Sequence, residues 1–459
     1  MRRNDRGNPG LGRVVRRVGM ALTLVAVGPL AGAAGLQFSA GVEAGYEHTS
    51  NLYRTPQAPE SAEFATGTGR IMLVDQTRTL YADVEAVGRW FDFPEGTPGS
   101  DFRPAADVFV MWTPVADTFG WRFTDSLGEI AANANGGLAP ADRERVNVFS
   151  TGPDLRLPLG AGSYFFTAGA RYSRADYENS PTDSDRLAGQ AGLARELDSG
   201  ALLSFNVLHE RTQQDATGTD YDVSNVFLNY MLGGARGALD ASVGVSRLSS
   251  GGDEPTGAFA DIRLVRDLNA SLSLAVDLVH RFGDAAAVFG RRQDLEPDIG
   301  SIANVQVTGQ ALRETAGDVG LAFTGRRTVA ALAVSHYRER TYGGAIAATD
   351  RNGTDLAATV DFTLRPDFVI GADAVQRWWE DATSSSARAS ELRGRVTWQF
   401  IQRLGLSVGA EHYEQSNTNQ DYTETRYFAR LAWQFTRGEV TRQRPGFDAA
   451  ARRRIQYGR

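Results

Sequence analysis

The chain has 459 residues, 55 of them acidic and 48 basic, for a formal net charge of −7, with 5 histidines and no cysteine. Without cysteine there is no disulfide framework, no thiolate zinc or iron–sulfur centre and no cysteine nucleophile. The acidic balance, in which every basic residue is arginine, lacks the basic face of a nucleic-acid binder, so no nucleic-acid partner is expected. Hydrophobic residues at 42% and aromatics at 10% exclude a wholly disordered chain.

The first 34 residues read as a secretory signal peptide. Arg2, Arg3, Arg6, Arg13, Arg16 and Arg17 precede an apolar run from Val18 to Leu30, and the small residues Ala31-Gly32-Ala33-Ala34 follow. That run is about 13 residues, short of the roughly 20 a spanning helix needs. No later run is long and apolar enough for a membrane helix, which leaves a secreted soluble protein or an outer-membrane β-barrel.

From Leu36 onward, short segments alternate apolar and polar residues. Leu80, Ala82, Val84, Ala86, Gly88 and Trp90 share one face, opposite Asp83, Glu85 and Arg89. Leu272, Leu274, Val276 and Leu278 oppose Ser271, Ser273 and Asp277, and Leu356, Ala358, Val360, Phe362 and Leu364 oppose Asp355, Thr359 and Asp361. Successive strand side chains point to opposite faces, so each segment is a two-faced strand. Three features turn this into a transmembrane barrel rather than a sandwich. Segments of about 9 to 13 residues suit a tilted membrane strand. Short connections (75–77, 198–200, 267–269, 365–367, 402–403) alternate with long ones (48–62, 131–144, 212–221, 283–313, 342–353, 381–388), as periplasmic turns alternate with outer loops. All seven tryptophans fall near strand ends, where an interfacial girdle forms.

The expected fold is all-β: a transmembrane antiparallel barrel of about 20 strands, within about 18 to 22. The signal occupies 1–34, the barrel 35–436 and a basic periplasmic tail 437–459. The stretch 283–325 reads either as one loop and one strand or with an extra hairpin. In the last strand Tyr427, Ala429, Leu431, Trp433 and Phe435 share one face and look like the strand that the barrel-assembly machinery recognises. The tail adds Arg437, Arg442, Arg444, Arg452, Arg453, Arg454 and Arg459. It reads as a solvated extension ahead of a docking segment.

No catalytic constellation, nucleotide loop or metal-ligand spacing stands out, so no enzyme activity, cofactor or metal is expected. The histidines (His48, His209, His280, His336, His412) sit toward the outer ends of upward strands. Two readings stay open for them: a set meeting across the lumen, or chance placement at loop edges. With the apolar face outside, the lumen receives Asp83, Glu85, Arg89, Asp107, Arg122, Arg171, Glu210, Asp240, Asp261, Arg263, Asp277, Asp361, Asp373, Arg377, Arg393, Arg395, Glu411 and Arg430. Phe109, Phe259, Tyr413 and Phe428 join them. Charged rings in a wet pore select what passes, and aromatics beside charges also suit a sugar chain.

The first long loop carries a resemblance. Tyr46-Glu47-His48-Thr49-Ser50-Asn51-Leu52-Tyr53-Arg54-Thr55-Pro56 resembles the opening of the outer-membrane β-barrel porin family associated with exopolysaccharide biosynthesis and export operons. Arg326-Arg327-Thr328, followed by Tyr337-Arg338-Glu339-Arg340-Thr341-Tyr342, is similar as well. The chain departs from that pattern at Ser61-Ala62-Glu63 and in its basic tail. The resemblance implies export of exopolysaccharide or capsular polymer, with the polysaccharide, a periplasmic polysaccharide export protein and outer-membrane lipid as partners. A general diffusion or uptake porin for small solutes is the alternative, and a barrel-embedded enzyme acting on lipid or surface sugar stands behind it. The motif Asn51, Leu52, Tyr53 and Arg54 is expected at the outer rim or folded into the lumen as a constriction.

Overall fold

The computed structural model describes residues 36–93, 100–131, 143–160, 162–215, 219–292, 310–342, 350–381, 386–416 and 421–437. The expected signal and the tail beyond 437 lie outside the described residues. The strands are β1 (Gln37–Thr49), β2 (Ala62–Gln76), β3 (Leu80–Asp92), β4 (Asp101–Val115), β5 (Phe119–Ala131), β6 (Arg143–Pro158), β7 (Tyr164–Tyr177), β8 (Ser184–Glu196), β9 (Leu202–Gln214) and β10 (Tyr221–Gly234). They continue as β11 (Gly237–Ser250), β12 (Thr256–Asp267), β13 (Leu272–Gly283), β14 (Ala311–Thr324), β15 (Thr328–Tyr342), β16 (Asp350–Arg365), β17 (Phe368–Asp381), β18 (Ala387–Ile401), β19 (Leu404–Ser416) and β20 (Asp421–Arg437). Each pairs antiparallel with its sequence neighbours, and β1 also pairs with β20, from Phe38 opposite Arg437 to Thr49 opposite Arg426. The 20-stranded sheet therefore closes, leaving no unpaired edge in the hydrocarbon layer.

The described part of the ambiguous stretch is one strand, β14, preceded by a helix α1 (Ala285–Arg292) that the sequence reading did not anticipate. Three consecutive alanines favour the helix, and Asp284 caps it: its Oδ1 accepts the Ala287 N–H at 2.9 Å. Strand lengths run from 12 residues in β12 and β13, within the expected 9 to 13, to 17 in β20, beyond it. Twelve residues at about 3.3 Å each and a tilt near 45° rise about 28 Å, enough for the hydrocarbon core. The longer strands carry the ladder into the extracellular rim.

Faces follow from the pleat. Val42, Ile71, Leu187, Leu193, Val207, Leu228, Val245, Leu278, Leu332, Leu392, Val408 and Leu431 are exposed large apolar residues, while their chain neighbours are covered. An apolar exterior around a closed sheet is the lipid-facing arrangement of outer-membrane barrels. Trp112, Trp398, Phe400, Trp433 and Phe435 face outward near the short-turn ends, and Tyr46, Trp90, Trp378 and Tyr427 face outward near the long-loop ends. These form the two girdles. Trp379 is the exception: it turns inward and packs with Tyr413 and Tyr422. Tyr427, Leu431, Trp433 and Phe435 of the final strand all face lipid.

Inside, glycine makes room for aromatics. A Cβ on Gly353 would lie 2.5 Å from the Tyr337 ring, and one on Gly409 would lie 2.4 Å from Phe428. Each ring lies over its glycine on the adjoining strand, covering backbone that would otherwise lack a packing partner.

Candidate pore constriction

The inner wall is cross-linked by arginine–carboxylate pairs. Glu47 on β1 takes Arg89 of β3 at 2.7 Å and Arg430 of β20 at 3.0 Å. Arg393 of β18 meets Glu411 of β19 at 2.9 Å, and Arg426 of β20 meets Glu411 at 3.4 Å. Arg395 bonds Asp373 and, at 2.6 Å, Asp361, joining β18 to β17 and β16. Arg263 bridges Asp277 at 3.0 Å and Asp261 at 3.3 Å. The arginine fork suits these contacts because it reaches two carboxylates while keeping its charge.

The loop between β1 and β2 folds into this wall. Leu52 is fully buried among Ala62, Phe64, Phe91 and Phe93, with Tyr53 against the same cluster. Asn51 donates through Nδ2 to the carbonyls of Thr55 (2.9 Å) and Thr423 (3.2 Å), and its Oδ1 accepts the Thr55 N–H at 3.0 Å. One side chain thus closes the loop on itself and ties it to β20. Arg54 adopts the left-handed backbone, φ 52°, uncommon for a residue with a Cβ. Its Nε donates to Glu424 Oε2 at 2.8 Å, and its guanidinium stacks over the Tyr413 ring at 4.0 Å. Arg54 is 7% exposed and Glu424 1%. Burial alone would lower the Arg54 pKa; the Glu424 carboxylate outweighs it and holds the guanidinium above its ordinary value. The left-handed turn at Arg54 is thus held in place by a buried ion pair to the wall.

A second segment enters from the far wall. Helix α1 follows β13, yet Ala285, Val288 and Phe289 pack on Ile130 of β5, Val146 of β6 and Leu312 of β14. Strands β5 and β6 lie across the barrel from β13 in the sheet order, so the segment crosses the interior. Asp284 anchors it. Arg186 of β8 donates to Asp284 Oδ2 at 2.6 Å, and the Tyr221 hydroxyl of β10 donates to the same oxygen at 2.9 Å. Arg186 also contacts Glu210 at 3.1 Å. Burial would raise the Asp284 pKa, but the Arg186 charge and the bonds from Arg186, the Ala287 N–H and Tyr221 outweigh it and hold the carboxyl below its ordinary range.

The residues named from sequence fall on the inner face by strand parity. Asp83, Glu85 and Arg89 alternate along β3, each under 5% exposed. Asp107 stands opposite Glu85, and Arg122 and Arg171 converge on Asp154, which sequence reasoning did not name. Asp240 stands opposite Arg263, and Asp355 opposite Arg377. Phe259 packs on Phe227, Phe109 on Tyr81, and Phe428 lies under Arg430 at 4.5 Å. Glu47, Arg103, Glu424 and Arg426 also line this wall, outside the lumen set expected from the sequence. The last two share the parity of Arg430, so the same period-two count reaches them. Arg186 and Asp284 have no comparable signal, because their meeting depends on a loop crossing the barrel.

Of the two histidine readings, the set meeting across the lumen does not hold. None of the five can meet another across the lumen, because all point outward. On their strands they continue the exposed apolar rows, as in Leu203-Phe205-Val207-His209 and Leu332-Val334-His336.

No protein-family model and no curated protein sequence matches the chain. Among solved structures it is similar to the copper transporter OprC, with 12% identity over 87% of this chain and 83% of that one, TM-score 0.43. It is also similar to the siderophore receptor PirA from Pseudomonas aeruginosa, with 10% identity over 86% of this chain and 80% of that one, TM-score 0.40. A third is the outer membrane protein opdK from Pseudomonas aeruginosa, with 10% identity over 87% of this chain and 99% of that one, TM-score 0.36. At these scores the assignment rests on the chain's own geometry: a closed, antiparallel, 20-stranded transmembrane barrel with a charged interior and two inward-folded segments.

Proposed function

We propose that this chain is an outer-membrane transport barrel whose mouth is held narrow by the 50–61 loop and the 284–292 segment, and that it serves export of exopolysaccharide or capsular polymer. The observation that carries the narrowing is the buried Arg54–Glu424 pair, which fastens the motif loop to the wall at 2.8 Å. The resemblance of that loop to the exopolysaccharide-associated porins supplies the cargo. Passage of a polymer needs a run of weak sites, favourable to enter and easy to leave. Phe109 and Phe259 offer flat faces for sugar CH groups, and the arginine–carboxylate pairs around them offer hydroxyl partners. A periplasmic polysaccharide export protein would deliver the chain from below.

A diffusion or uptake porin is the second reading. It is favoured by the arginine–aspartate ladder of β16–β18, where Arg395 faces Asp361 and Asp373. Such facing charges sort small ions and solutes as well as polymers. Two measurements separate the readings. After clean deletion of the gene, loss of polymer from medium and surface, with periplasmic build-up or arrested synthesis, supports export; unchanged polymer overturns it. In planar bilayers a held-narrow barrel conducts little and Arg54→Ala opens it, whereas a diffusion porin is open from the start.

A further inference from the structure

Four of the outward histidines make one repeated contact. Each stands directly opposite a Ser or Thr on the neighbouring strand and shares a hydrogen bond with it through Nδ1. The pairs are His209 with Ser224 (3.0 Å), His280 with Thr315 (2.8 Å), His336 with Thr354 (2.9 Å) and His412 with Thr425 (3.0 Å). All four histidines lie on upward strands, immediately above the lipid-facing apolar row. His48 takes the same level on β1, beside Tyr46 and stacked on Tyr427. When the hydroxyl donates to Nδ1, the ring proton sits on Nε2, an outward donor at the top of the hydrocarbon layer.

On β13–β16 two of these pairs merge with arginines. The register places His280, Thr315, Arg338 and Asn352 side by side in one row. The row above contains Arg313, Arg340 and Asp350, and the row below contains Gly317, His336 and Thr354. Arg313 and Arg340 both approach the Tyr342 ring, at 6.0 and 5.6 Å. Arg338 and Arg340 are 63% and 48% exposed, with Asp350 at 3.0 and 3.8 Å respectively. Three arginines and two imidazoles thus share one outward patch with Asp350, with Glu380 at its edge hydrogen-bonded by Asn352. Elsewhere on the belt the carboxylates stand closer to the rings: Glu63 lies 3.8 Å from His48 and Asp222 3.9 Å from His209. Directly beneath the patch lie Leu278, Leu332, Val334 and Leu356, the exposed apolar surface that acyl chains cover.

We infer that this patch docks the phosphorylated headgroup of an outer-leaflet glycolipid. Its acyl chains would lie on the apolar row and its phosphate would sit among Arg313, Arg338, Arg340 and the Nε2 groups of His280 and His336. The chemistry matches: arginine forks and imidazole donors bind phosphate oxygens, in a layer where little water competes. The height matches too, because the histidine–hydroxyl pairs mark the level at which hydrocarbon gives way to headgroups.

The test uses the full-length barrel in detergent, titrated with hexa-acylated lipid A and read by native mass spectrometry. The wild type should retain one lipid A through detergent dilution. R338A/R340A should bind at least tenfold more weakly, and H280A/H336A several-fold more weakly. Arg211→Ala, an outward arginine on β9, should bind as the wild type does. Equal retention by R338A/R340A and wild type would overturn the proposal. So would equal binding of lipid A stripped of its phosphates, which would leave acyl contact alone. Full competition by millimolar inorganic phosphate would also overturn it, by assigning the patch to the free anion. Should the double variants fail to fold, the single variants Arg338→Ala and His336→Ala each remove one donor and are read against the same outcomes.

Discussion

The two segments that fold into the barrel are held by opposite arrangements of the same chemistry. The 50–61 loop brings a cation, Arg54, to a carboxylate of the wall, Glu424. The 284–292 segment brings a carboxylate, Asp284, to a cation of the wall, Arg186. The first loop stays near its own strands, packing on β2, β3, β19 and β20, and needs a left-handed residue to make the turn. The second reaches across the barrel and is stiffened by a capped helix. A short loop is placed by its neighbours, whereas a crossing segment is placed only by an anchor and a complementary far wall. The anchors therefore differ in what their loss leaves behind. Glu424 retains Arg426 at 2.9 Å and Thr49 at 2.7 Å, so it survives without Arg54. Arg186 without Asp284 retains only Glu210 among the ion-pair partners described.

That asymmetry sets the size of the expected effects. The largest belongs to Asp284→Ala, which takes from Arg186 the nearer of its two carboxylates, leaves the Tyr221 hydroxyl without this acceptor and removes the helix cap. Breaking a buried pair costs about 3–5 kcal/mol, so its urea midpoint in detergent should fall the most and its single-channel conductance rise. Next comes Gly353→Ala, where the added methyl meets Tyr337 at 2.5 Å. Overpacking of this kind costs about 1–3 kcal/mol, with no change in conductance, since neither inserted segment is touched. Arg54→Ala should cost about 1–3 kcal/mol, because Glu424 remains paired, yet it should open the mouth. A conductance unchanged by Arg54→Ala would break the comparison, leaving the crossing segment as the sole constriction. The smallest effect is at Ala58, also left-handed at φ 51°. Glycine there relieves steric strain of about 1–2 kcal/mol and loses part of it to unfolded-chain entropy, so Ala58→Gly should stabilise by under about 1 kcal/mol.

Acid sharpens the comparison from the carboxylate side. The Asp284 pKa is depressed in the folded protein. Its contribution is complete above the unfolded aspartate value of about 3.9 and is lost as pH falls through the lower folded value. The 284–292 anchor should therefore hold through mildly acidic buffer and release only below pH about 4, seen as a conductance step that is absent in Asp284→Asn.

Much of this molecule is legible in its alternation. Period two marks Asp83, Glu85 and Arg89 against Val84, Ala86 and Trp90, and the pleat makes that parity a statement about faces. The same count carries over from Arg430 to Arg426 and Glu424. It also holds the direction of the histidines, since His209 and His336 continue the apolar rows of their strands, although the lumen set expected from the sequence did not extend to them. It missed α1, because a helix of eight residues inside a long loop is a weak local signal that burial against Ile130 and Val146 makes stable.

The amino-acid order by itself determined the strands, their number to within about two, the side that meets lipid and the loop that carries Arg54, because all of these follow from local periodicity and turn chemistry. Only closure of the barrel decided which charges meet. Arg186 reaches Asp284, 98 residues away, and Arg54 reaches Glu424, 370 residues away. Pairings at that separation are set by strand register and by what crosses the lumen, and no local pattern encodes either.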